Sequence, residues 1–67
     1  MLTRHAIRRM RSRGASELDV RHALASAARC TEDEEPDLWR VEGPDLDNDE
    51  MSLIVAIDDG VIVVTMF

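Results

Sequence analysis

The sequence predicts an α+β fold: an N-terminal helical hairpin packed on one face of a three- or four-stranded antiparallel sheet. Three observations carry this. Apolar residues recur at helical spacing as far as about Ala28, the period changes to two after Cys30, and Asp59-Gly60 separates two β-rich runs as a hairpin signal. With 67 residues there is room for one domain spanning 1–67, and 45% hydrophobic residues are enough for a folded core.

Thr3 to Ser12 reads as the first helix. Thr3 is the N-cap, Arg11 and Arg13 suit the negative end of the dipole, and Gly14 is the left-handed stop. Thr3, Ala6, Ile7 and Met10 share the core face. Ser16 opens the second helix, to about Ala28. Ser16 with Asp19 forms a variant capping box, Val20, Ala23, Leu24 and Ala27 form the core stripe, and Glu17 and Arg21 form an i, i+4 pair. A weaker strand is expected around Arg29 to Glu34. Leu38 to Glu42 alternates, with Trp39 and Val41 inward. Met51 to Ile57 and Val61 to Phe67 form the last hairpin. A two-residue turn pairs Ile57 with Ile62, Val55 with Val64 and Leu53 with Met66, all on the core face. Ile54, Val61, Val63 and Phe67 then lie on the other face. Two short helices cover only one face, so this second face is expected to be buried in a homodimer or against a partner chain.

Charge is divided unevenly. The net charge is −6, yet residues 1–30 hold seven arginines and two acids, while residues 31–67 hold Arg40 and twelve acids. The basic half either faces an anionic partner such as RNA or is neutralised by the acidic half within the fold or between copies. No lysine is present. One cysteine, Cys30, allows no intrachain disulfide and fits a reducing cytoplasm; it is expected to be buried or half-buried. No apolar run is long enough for a membrane span, and the N-terminus lacks the apolar stretch of a signal peptide. His5, His22 and Cys30 lack zinc-ligand spacing, the acidic run 32–37 lacks a calcium-loop pattern, and no glycine-rich phosphate loop occurs, so no metal or cofactor is expected.

The first helix is the most informative segment. His5, Arg9 and Arg13 form an i, i+4, i+8 line on one flank, and Arg4, Arg8 and Arg11 form a second basic line opposite the core. Guanidinium groups bind phosphate bidentately, and a histidine of near-neutral pKa can move protons. Together these outline a metal-independent ribonuclease site, with His5 as acid or base, Arg9 and Arg13 as phosphate binders, and Arg4, Arg8 and Arg11 as RNA contacts. The structural alternative makes His5 a partly exposed helix residue hydrogen-bonded to the sheet. Trp39 reads as a core anchor rather than a base-stacking platform, and His22 as a surface residue.

The run His5-Ala-Ile-Arg-Arg9-Met-Arg-Ser-Arg13-Gly14-Ala-Ser16-Glu-Leu-Asp-Val20 resembles the opening of family 4258 among the domains of unknown function. The likeness continues through Trp39 to Gly43, Leu53 to Gly60 and Val63 to Phe67. It implies a fold similar to RelE and BrnT toxins of bacterial toxin–antitoxin systems, which cut RNA without metal and are covered by an antitoxin. By position it implies a site of His5, Arg9 and Arg13, with Thr65 near the end of the last strand. Two functional expectations follow: a toxin-type ribonuclease of the cytoplasm, or a non-catalytic binding module that assembles through its sheet as a homo-oligomer or with a partner protein.

Overall fold

The computed structural model describes residues 1–67. Helix α1 spans Arg4–Arg13 and helix α2 spans Glu17–Ala25, followed by strands β1 (Arg29–Glu32), β2 (Leu38–Pro44), β3 (Glu50–Ile57) and β4 (Val61–Met66). The strands form one antiparallel sheet in the order β1-β2-β3-β4, and both helices lie on the same face of it.

Local chemistry sets the helix ends. The Thr3 hydroxyl accepts the Ala6 N–H at 3.1 Å, and Gly14 closes α1 at φ 74°. At α2, the Asp19 N–H donates to the Ser16 hydroxyl at 3.2 Å, and the Ser16 N–H donates to the Asp19 carboxylate at 2.8 Å. The capping box is therefore complete. The α2 helix stops at Ala25, short of the expected Ala28, and leaves Ala27 exposed. Ala6 of α1 and Val20 and Ala23 of α2 meet Val41, Met51, Leu53, Val55, Val63 and Met66 of the sheet in one buried cluster. Met10, Leu24 and Trp39 pack against its edge, Trp39 as the expected anchor.

Gly43 falls inside β2 rather than in a turn. A methyl group there would overlap the Ala23 carbonyl, so the missing side chain is what lets α2 approach the sheet. The β2–β3 turn is built on Asp45, whose carboxylate accepts the N–H groups of Asp47 at 2.9 Å and Asp49 at 2.8 Å.

The final hairpin departs from the expected register. Its loop is three residues, Asp58-Asp59-Gly60, so Ile57 pairs Val61, Ala56 pairs Ile62 and Val55 pairs Val63. A bulge beyond Val55 then absorbs one residue of β4, so that Leu53 pairs Met66 as expected. The two one-residue shifts cancel. Between them, the faces are exchanged. Val63 enters the core at 2% exposure, and Val61 shares the helix-side face with Ile57 at the hairpin end, 43% exposed. Neither lies on the opposite face, which corrects the face expected for both. Ile54 and Phe67 do lie on that face. Ile54, however, is only 7% exposed, flanked across the sheet by Arg40 and Thr65. The apolar row on this face is instead Leu38-Ala56-Ile62, three half-buried residues paired across β2, β3 and β4. Cys30 is exposed, because β1 lies at the sheet edge beyond the helices.

Candidate functional site

The expected site begins on α1, which lies along β4. The helix and the residues before it are joined by a series of hydrogen bonds to oxygens of β4, of Phe67 just after it and of Glu50 in β3. The Met1 amino group donates to Val61 O at 2.8 Å, and the Thr3 N–H donates to Val63 O at 3.0 Å. The Thr3 hydroxyl donates to Val64 O at 2.7 Å, which satisfies the carbonyl of the bulge. Arg9 Nε donates to Met66 O at 3.2 Å. Arg13 Nη1 donates to the Phe67 main-chain oxygen, and its Nη2 donates to Glu50 O at 2.8 Å. Val63 returns its N–H to Met1 O at 2.7 Å. The outer edge of β4 is thus closed by residues 1–3 and by Arg9 of the expected site, with Arg13 on Phe67 O just beyond it.

His5 is one helical turn before Arg9. It is exposed and makes no side-chain hydrogen bond within the chain, so the alternative that ties it to the sheet is not realised. Two hollows are the best formed on the surface. One, of about 510 Å³, is lined by Ala28, Arg29, Glu42, Gly43, Pro44, Asn48 and Glu50; the other is lined by the 32–39 turn, from Glu32 to Trp39. His5, Arg9 and Arg13 line neither. No group of three His, Cys, Asp or Glu is placed to hold a metal ion.

A family model described as a domain of unknown function (DUF4258) matches residues 2–67. The chain belongs to this family. No curated protein and no solved structure matches it. The DUF4258 expectation drawn from the His5-to-Val20 opening and the later strands therefore holds over nearly the whole chain, while the likeness to RelE and BrnT toxins has no matching structure behind it.

In this DUF4258 chain the second basic line is free. Arg4, Arg8 and Arg11 are exposed, and the two salt bridges lie elsewhere, Arg21–Glu17 at 3.2 Å and Arg40–Glu42 at 4.0 Å. No carboxylate of the acidic segments forms a salt bridge with α1. Phe67 carries an unexpected contact. Its ring lies under two guanidinium groups, Arg40 Cζ at 5.5 Å and Arg9 Cζ at 6.0 Å from the centroid, inside the range of cation–π attraction. Sequence spacing gives no sign of it, because Arg40 reaches Phe67 only through the β2–β3–β4 register. Asp19 is more than a cap. It also accepts the Leu46 N–H at 3.0 Å, fastening the β2–β3 turn to α2. The Ser16 main-chain N–H, then that of Leu46, holds its carboxyl below the usual aspartate range.

No helix is long and apolar enough to cross a membrane.

Proposed function

We propose that the chain is a non-catalytic binding module that assembles through its sheet. The observation that carries this reading is the sheet itself: one face has no layer over it and presents the Leu38-Ala56-Ile62 row, and β1 is an edge strand exposed along its whole length. The competing site offers less. Both terminal nitrogens of Arg13 and the Nε of Arg9 are engaged by main-chain oxygens, which makes these arginines struts between α1 and β4. The test is incubation of the pure protein with single-stranded RNA beside its His5→Ala variant. The module reading expects intact RNA in both. Cleavage by the wild type that disappears in the variant overturns it.

A second reading, the toxin-type metal-independent ribonuclease, is favoured by one observation: Arg4, Arg8 and Arg11 have no carboxylate partner in the chain. His5 would act as acid or base beside this basic surface, and an antitoxin would cover it. RNA binding along α1 would weaken steeply with salt and would fall when Arg4 and Arg8 are changed to glutamate. Binding indifferent to both changes removes this reading.

A further inference from the structure

The two edges of the sheet differ. The β4 edge is closed by residues 1–3 and Arg9, with Arg13 on Phe67 O just beyond it, whereas the β1 edge has no partner. In an antiparallel ladder alternate residues direct both main-chain groups to the same neighbour. The Asp33 N–H donates to Leu38 O at 3.0 Å, so the groups of Asp33, Thr31 and Arg29 turn toward β2. Those of Cys30 and Glu32 turn outward, and no hydrogen bond outside the regular ladder uses them.

An edge is ordinarily blunted by shortness and charge, and β1 is four residues with Arg29 at one end and Glu32 at the other. Here the charges do not repel a second copy. We propose that the partner of this edge is β1 of another copy of the chain, paired antiparallel about a two-fold axis through Thr31. This rests on the module reading and names its partner. The register follows from the outward groups: Cys30 opposite Glu32 of the second copy, and the reverse, exchange four main-chain hydrogen bonds. Thr31 then faces its own equivalent at a close, non-hydrogen-bonded position, where Thr–Thr pairs are favourable. Arg29 faces Asp33 of the other copy, and the symmetry repeats that pair. Arg29 makes no salt bridge in its own chain, and the Asp33 carboxylate meets only the Glu35 N–H, at 3.4 Å. The neighbouring register, with Cys30 opposite its equivalent, would use fewer outward groups, because the Ala28 N–H is taken by Glu42 O at 2.8 Å. Pairing in the proposed register yields one eight-stranded sheet whose open faces, with their Leu38-Ala56-Ile62 rows, are continuous.

Sedimentation equilibrium over a range of concentrations tests the assembly. The wild type is expected to pass from monomer to dimer at high micromolar concentration. Glu32→Pro removes one outward N–H per chain without touching the ladder to β2, and is expected to weaken the dimer about tenfold, two hydrogen bonds being lost per dimer. Circular dichroism unchanged from the wild type shows that this variant still folds. Arg29→Asp and Asp33→Arg are each expected to weaken the dimer, and the double exchange to restore it. In a Cys30→Ser background, Thr31→Cys is expected to give a covalent dimer under mild oxidation, while Cys30 of the wild type does not. A wild type monomeric throughout, a folded Glu32→Pro with unchanged association, or cross-linking through Cys30 rather than position 31 overturns the proposal. None of these outcomes bears on RNA cleavage, so the module reading is judged separately.

Discussion

Gly43 and Asp19 each join two elements, and each joint has a measurable cost. At Gly43 the backbone of α2 and of the segment just after it occupies the place of a side chain, with the Ala23 carbonyl and Ala27 Cα against it. Gly43→Ala is expected to destabilise the fold by about 1–3 kcal/mol, the usual cost of overpacking, as a lower urea midpoint at unchanged slope. Asp19 acts through its charge. Its folded pKa lies below the ordinary aspartate value of 3.8, because the Ser16 and Leu46 N–H groups favour the ionised form. The stability it contributes is therefore present above that ordinary value and is lost as pH falls through the lower folded one. Asp19→Asn is expected to flatten the decline in stability below about pH 4, the unfolded aspartate range, in thermal melts followed across pH.

At the scale of elements, α1 depends on β4 as much as on its own sequence. The Thr3 hydroxyl serves both, accepting from Ala6 and donating to Val64. Thr3→Ala is expected to cost about 1–2 kcal/mol, a lost cap together with a bulge carbonyl left without its donor. Thr3→Ser is expected to recover most of that loss in the same denaturant titration. These elements were legible in the sequence to different degrees, for physical reasons. Thr3, Gly14, Ser16 and Asp19 act on residues three or four away, so their signals are local and the helices could be placed from them. The hairpin register was not local. Asp59-Gly60 marks the turn but does not fix whether two or three residues form it, and the bulge after Val63 leaves no trace in a run of valines. A two-residue turn therefore puts Val61 and Val63 on the face away from the helices, where the structure does not have them, and Leu53 and Met66 in the core, where it does. The candidate site was legible as a line of His5, Arg9 and Arg13. The destinations of both guanidinium groups were not, because Met66, Phe67 and Glu50 lie 37 or more residues away in sequence.

For the molecule as a whole, charge and apolar surface are distributed separately. The free arginines of α1 lie on the helix layer, and the Leu38-Ala56-Ile62 row lies on the opposite face of the sheet. Ile57 and Val61 project at the hairpin end, 67% and 43% exposed, beyond the reach of the core cluster. Ile57→Thr is accordingly expected to change unfolding free energy by no more than about 0.5 kcal/mol, as surface substitutions usually do.

The closure of β4 by residues 1–3 also dictates an order of assembly during synthesis. Residues at the start of this domain find most of their main-chain partners about sixty residues later, since Met1, Thr3, Arg9 and Arg13 bond to oxygens between Val61 and Phe67. A nascent chain halted before that final strand carries a capped but undocked helix, with Val63 and Met66 still missing from its core. Docking of α1 must wait for residues 61–67 to emerge, so the helix forms long before it finds its place on the sheet.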